Sequence, residues 1–178
     1  MKTARGFTLI ELIVYICITS IVLMSSLSIA FLIINDQIKE SVIAEVRGNG
    51  DFSMEKISYY AQRASAVNTQ TVYNSNPGKL VLDYASNPQI TIDAYDKTIT
   101  LNGQAVTIKK LRLKQGSGQA IDLTSDRVEV INFSLLNLSG TNAVSIEADL
   151  SLKSVNPSSS AIYASENSWS VPVTVRTK

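Results

Sequence analysis

The chain has 178 residues, is 45% hydrophobic and carries a net charge of +1, a balance that argues against a general binder of polyanions. It has no histidine, which removes the commonest acid–base side chain and the commonest metal ligand. Its one cysteine, Cys17, excludes an intrachain disulfide.

The chain opens with MKTARG, a short basic leader carrying Lys2 and Arg5 and ending in Gly6. A long apolar stretch follows from Phe7. In a secretory signal peptide the small cleavage residue comes after the apolar stretch. Here Gly6 comes before it, so processing at that point leaves the apolar segment on the mature protein. No charge occurs between Glu11 and Asp36. Those 24 residues make a helix of about 36 Å, longer than the roughly 30 Å hydrocarbon core of a bilayer, so residues 7–34 are expected to span a lipid bilayer with some tilt. The polar residues within it, Thr19, Ser20, Ser25, Ser26 and Ser28, are small and can return their hydroxyls to the backbone. The leader charges place the N-terminus in the cytoplasm and everything after residue 35 outside. Glu11 is the anomaly, because a carboxylate in a membrane segment costs a few kcal/mol and is usually paired. Either it lies at the interface and reaches head groups, or it waits for a cation from another chain. A cut after Gly6 would create such a cation, a new α-amine on Phe7.

GFTLIEL at 6–12 resembles the class III leader of type IV prepilins and type II secretion pseudopilins. The likeness covers about the first 35 residues. It implies that a membrane-embedded prepilin peptidase cuts after Gly6 and methylates the amine of Phe7. It also implies that Glu11 is the glutamate which that family uses in assembly; Thr8 matches a position commonly polar there. The chain differs from common major pilins in lacking a mid-helix proline, with Leu27-Ser28-Ile29 in its place, and in lacking the cysteines for a C-terminal disulfide. Both differences suit a minor pilin or minor pseudopilin, and the presence of Glu11 disfavours the tip-most pseudopilin. The strand layout looks like the J-type pseudopilin or PilW-like group.

Residues 35–67 read as a continuation of the helix. Ile38, Val42 and Val46 recur at four-residue spacing, and Ile57, Tyr60, Ala61 and Ala64 repeat the pattern. Gly48-Asn49-Gly50 lies between them and is expected to act as a local hinge in one long helix. From about residue 68 the pattern changes to short alternating runs. Leu80, Leu82 and Tyr84 form one, Ile90, Ile92 and Ala94 another, and Ile99 and Leu101 continue into Asn102-Gly103, a two-residue hairpin signal. Val106 and Ile108 give way to Leu111 and Leu113, a phase change near Lys110 that suggests a bulge. Residues 122–126 read as a turn. Val128 and Val130 shift phase to Ile131, Phe133 and Leu135, again bulge-like. A long strand carries Val144 to Leu152, residues 156–160 form a loop, and Trp169 to Val175 form a last strand in which Pro172 demands an edge or a position whose missing donor is harmless.

The basic run at 109–114 is the one cluster of its kind. Lys110, Arg112 and Lys114 would share a strand face, a possible site for DNA. Without interleaved aromatic residues for base stacking, a solvated face that guards against edge pairing is the stronger reading, and nucleic acid is not expected as a partner. Glu147, Asp149 and Glu166 offer oxygen ligands, but their spacing matches no calcium loop, and no metal or other cofactor is expected. No P-loop, dinucleotide fingerprint or Cys-x-x-Cys motif is present, so the chain does not read as an enzyme.

These readings predict a pilin-like α+β fold. Residues 1–6 form a leader peptide, 7–34 a transmembrane and fibre-core helix, 35–67 its amphipathic extension, and 68–178 an antiparallel β-sheet head. The resemblance implies a structural subunit of a type IV pilus or type II secretion pseudopilus. Its expected partners are other pilins or pseudopilins, prepilin peptidase and an inner-membrane assembly platform. The expected location is the cytoplasmic membrane, as a single-pass protein, and then the fibre. The alternatives from other classes are a tip adhesin or DNA-uptake pilin, and a plain signal-anchored extracytoplasmic β domain.

Overall fold

The computed structural model describes residues 8–86, 88–101, 103–139 and 144–175. One helix, α1 (Leu9–Arg63), runs for 55 residues. Its first half, up to Ile34, is mostly apolar and has nothing buried. Further along, one face turns inward, with Val46, Gly50, Ser53, Met54, Ile57 and Ala61 buried. Those positions recur every three or four residues, the spacing that keeps side chains on one face of a helix.

Two antiparallel sheets receive that face. β1 (Ala66–Val67), β2 (Lys79–Asp83), β3 (Ile90–Leu101), β4 (Gln104–Gln115) and β5 (Ala120–Asp122) lie side by side in chain order. β6 (Val128–Asn137), β7 (Val144–Ser154) and β8 (Glu166–Val175) form the second sheet, and a short 3₁₀ turn, Ala161–Tyr163, precedes β8. The core combines the buried helix face with Leu80 and Leu82 of β2, Ile90 and Ile92 of β3, Leu111 and Leu113 of β4, Phe133 and Leu135 of β6, and Ile146 to Leu152 of β7. The long apolar helix packed on antiparallel sheets is a pilin-like α+β fold.

The head differs from the sequence reading in several places, each for a local reason. The helix ends at Arg63, short of residue 67. The Ala64 N–H still bonds back to Tyr60 and Ala61, but Ala64 itself is extended, and Ser65 N–H donates to the Asp83 carbonyl at 2.8 Å. The chain is captured by sheet pairing, Ala66 opposite Asp83 and Val67 opposite Leu82. Gly48-Asn49-Gly50 does not interrupt α1. A Cβ on Gly50 would lie 2.2 Å from the Trp169 ring, whereas one on Gly48 would meet nothing within 4 Å. Gly50 therefore seats an indole against an unbroken helix.

The runs 90–94 and 99–101 belong to one strand, and β3 pairs with β4 in unbroken register from Ile90–Gln115 to Leu101–Gln104. Asn102 of the expected hairpin turn lies outside the described residues, and Gly103 has the positive φ, 80°, that such a turn asks of it. There is no bulge at Lys110. The phase change arises because this long ribbon buries opposite faces at its two ends: Leu111 and Leu113 enter the core, while Ile108 and Lys110 are covered on the other side. The second phase shift does mark a bulge, with the β6–β7 register slipping between Val130 and Asn132. Segment 74–78 lies along β6 at this point. Asn74 N–H donates to Leu135 O, Gly78 N–H donates to Phe133 O, and the Asn76 amide bonds Ile131 O and Phe133 N–H. These bonds satisfy backbone groups that a bulge leaves unpaired and tie the two sheets together. Pro172 lies on β8, at the edge of its sheet.

Candidate functional site

The N-terminal end of α1 is built by two residues. Thr8 is the N-cap, in extended conformation. Its N–H and its hydroxyl both donate to Glu11 Oε2 at 2.9 Å, and Glu11 N–H donates to Thr8 Oγ1 at 3.4 Å. This is a reciprocal capping box. It sets the carboxylate at the positive end of the helix dipole and gives it polar partners within its own chain. Leader residues Lys2, Arg5 and Gly6, and Phe7 with its amine, lie outside the described residues.

Beyond the cap, the shaft exposes apolar side chains in every direction. Leu9, Ile21, Met24 and Phe31 are all more than 60% exposed. The polar groups are satisfied locally. Thr19 donates to the Tyr15 carbonyl at 2.8 Å, Ser20 to Ile16 at 2.7 Å, Ser26 to Val22 at 2.8 Å and Ser28 to Met24 at 3.0 Å. Cys17 is free and exposed among apolar neighbours. The helix is long and apolar enough to cross a membrane, and its apolar half is not buried against its own head.

The basic strand residues behave differently from a solvated patch. Lys110 is 2% exposed. Its ammonium lies 2.9 Å from Asp122 Oδ2 and 2.5 Å from Asp126 Oδ1, and Lys97 bridges the same two carboxylates at 3.0 and 3.1 Å. Tyr95 O–H donates to Asp122 Oδ1 at 2.6 Å. Partial burial pushes the Asp122 carboxyl up, but the bonds from Tyr95, Lys110 and Lys97 outweigh it and hold the group at about 2. Bonds from the same two lysines lower Asp126, and bonds to both carboxylates raise Lys97. Arg112 forms a two-pronged pair with Asp93 at 2.8 and 2.9 Å and stacks on the Tyr95 ring. Lys114 is exposed. The three residues do not present a common positive surface, because two of them are already neutralised. Sequence reasoning missed Lys97, Tyr95, Asp122 and Asp126. The signal was Lys110 itself, a lysine at the point where the apolar phase changes.

Glu147 and Asp149 share a face of β7, and Glu147 accepts a bond from Ser170 at 2.7 Å. Glu166 sits opposite Lys153 at the far end of the β7–β8 pair. Among the described residues no cluster of three or more potential metal ligands occurs.

Residues 1–27 match the prokaryotic N-terminal methylation motif, which is typical of type IV pilins and pseudopilins. This is a motif of structural subunits and not of catalysts. No curated protein and no solved structure matches the chain.

Proposed function

We propose that this chain is a pilin or pseudopilin subunit, made as an inner-membrane precursor and then assembled through its N-terminal helix into a fibre. The observation that carries the reading is the coincidence, in one segment, of the methylation motif at residues 1–27 with a capped helix whose apolar shaft is not buried against its own head. The leader ends at Gly6 and Phe7 bears the methylated amine. Leaving lipid requires replacement contacts for the shaft. Neighbouring helices supply the apolar part. The amine of an adjacent subunit's Phe7 supplies the charge that Glu11 awaits, taking over from Thr8. We read the subunit as a minor one because the helix has no mid-shaft proline and the single cysteine allows no intrachain disulfide, and as of the J-type or PilW-like kind from the layout of its head strands. Prepilin peptidase and an inner-membrane platform are its processing and assembly partners.

The test is intact mass and N-terminal sequence after co-expression with an active prepilin peptidase. Loss of residues 1–6 with a methyl group on the new terminus is expected. An unprocessed chain beside a processed control substrate would leave only a membrane-anchored β domain. A nucleic-acid receptor is disfavoured, since Lys110 and Arg112 already have carboxylate partners.

A further inference from the structure

A cleft of about 750 Å³ separates the lower part of α1 from the underside of the head. Ile34, Ile38 and Val42 line it from the helix and Leu101 and Tyr163 from the head, and the charged Glu45 and Arg127 also stand on its wall. Its volume is within the range of sites that hold a small molecule or an alkyl chain. Its position relative to the bilayer follows from length. With Glu11 at the inner boundary, a hydrocarbon core of about 30 Å takes about 20 helical residues, and the outer headgroup layer extends the nonaqueous zone a few residues further. Asp36, the first charge after Glu11, falls at that outer limit. The lower end of the cleft, from Ile34 to Ile38, therefore lies at headgroup level.

The direction of β8 shows which end of the head meets this level. Residues 164–167 lie by Ile43 and Arg47, Trp169 lies by Gly50 and Asp51, and Pro172 and Val173 lie by Gln62 and Arg63. β8 thus climbs along the helix away from the membrane, and the segment before it, 154–165, is at the membrane-proximal end. That segment has no charged residue between Lys153 and Glu166, and the β3–β4 tip has none between Lys97 and Lys109. In a chain 17% charged, the two tips that share a cavity with the end of the apolar shaft are both charge-free. Tyr163, in the 3₁₀ turn, is 43% exposed, and tyrosine is a preferred side chain at the membrane interface.

We propose that the underside of the head is a second membrane contact: segment 154–165 and the β3–β4 tip rest in the outer headgroup layer, and a phospholipid of that leaflet fills the cleft. This rests on the reading of residues 7–34 as a membrane span. The cleft is walled by Ile34, Ile38, Val42 and Leu101 but also by Glu45 and Arg127, a mixed lining that suits an amphipathic molecule, and the amphipathic material continuous with it is the lipid that covers Ile34. The charge-free tips avoid the cost of setting ions among head groups and acyl chains, while Asn156 and the serines at 158–160 suit the polar layer.

The full chain in phosphatidylcholine vesicles tests this, with spin-labelled lipids as fluorescence quenchers. Trp169, the one tryptophan, serves as a reporter far up the head. In a Trp169→Phe background, Tyr163→Trp reports the loop, Ser158→Trp is a second loop position on an exposed site, and Phe31→Trp reports the span. The expected result is strong quenching at 31, quenching at 163 and 158 by labels near the head group, and none at Trp169. Quenching at 31 with none at 163 or 158 overturns the proposal and keeps the span. Blue-shifted but unquenched emission at 163 also overturns it, because the cleft is then covered by protein, such as a second copy. No quenching at any position overturns both the proposal and the membrane reading beneath it.

Discussion

Two glycines two residues apart on α1 should respond to the same substitution with opposite signs. Gly48→Ala adds a methyl group in open space, so only the helix propensity changes, a gain of up to about 1 kcal/mol. Gly50→Ala has the same gain, but its Cβ would lie 2.2 Å from Cζ2 and Cη2 of Trp169, far inside contact distance. The ring must swing away. It then loses the 2.8 Å bond from Nε1 to Asp51, worth about 1 kcal/mol, and uncovers part of the indole, roughly another 1–2 kcal/mol. Net destabilisation is about 1–2 kcal/mol, so the two variants should differ by about 2–3 kcal/mol. At roughly 2–4 °C per kcal/mol for a chain of this size, the melting temperatures should separate by about 4–12 °C. The assay is thermal unfolding of the full chain in detergent, followed by emission from Trp169. The folded Gly50→Ala variant should also show red-shifted emission. Equal stabilities with unchanged emission would refute the argument that Gly50 exists to seat the indole.

Lys110→Met keeps the volume of the buried side chain but leaves Asp122 and Asp126 with Lys97 alone. A loss of about 2–4 kcal/mol in denaturant titration is expected, and adding Asp122→Asn should recover part of it by relieving the surplus charge. Acid should weaken the same cluster. The Asp122 carboxyl is held at about 2 against an ordinary 3.8, so its contribution is complete above pH 3.8 and is lost as pH falls from there through 2. That contribution is about 1–2 kcal/mol after allowance for solvent screening, and Asp122→Asn should flatten this part of the stability curve measured by urea unfolding. Asn49→Ala should cost about 1–2 kcal/mol. Its amide accepts the Ser125 N–H at 2.7 Å and donates to the Glu45 carbonyl at 2.7 Å, which clips the turn before β6 onto the helix; hydrogen exchange at Ser125 should rise with the loss.

The parts of the fold that a periodic pattern encodes were legible in the sequence. The apolar shaft was visible from its lack of charge. The head's β character was visible from alternation, and the β6 bulge from a phase slip between Val130 and Ile131. The parts set by contacts between distant segments were hidden. Gly50 looked like a weak point because its purpose lies in Trp169, more than a hundred residues later. Lys110 looked solvated because its carboxylate partners, Asp122 at the end of the short strand β5 and Asp126 in the turn after it, lie in a stretch the pattern reads only as a turn. The same apparent signal, an apolar phase change, had two different causes. On β6 the ladder slips by a residue; on β4 the register is intact and the ribbon simply changes the face it buries. Alternation within one strand cannot separate those cases, because each depends on what lies across the strand. At the N-terminus the chemistry was local, and so the Thr8–Glu11 pair, three residues apart, could be anticipated as two matching positions, although the bonds between them were not.

The geometry also bears on how such a subunit leaves a membrane. The shaft from Leu9 to Ile34 buries nothing against the head, so extraction without substitute apolar contacts would expose all of that surface to water at roughly 25 cal/mol per Å². On the proposed function, transfer is therefore directly from lipid to neighbouring helices. If the cleft beneath the head also holds lipid, the head is tethered at a second place, and the neighbour that replaces the bilayer must fill the cleft as well as cover the shaft. Charges introduced into the two neutral tips would then loosen the precursor from the bilayer while leaving the shaft untouched. Substituting Ser158 and Ser159 with aspartate, both exposed in the loop, should lower vesicle quenching at a reporter on position 163 without changing that at position 31. An equal fall at both positions would mean that the head and the shaft do not contact lipid independently.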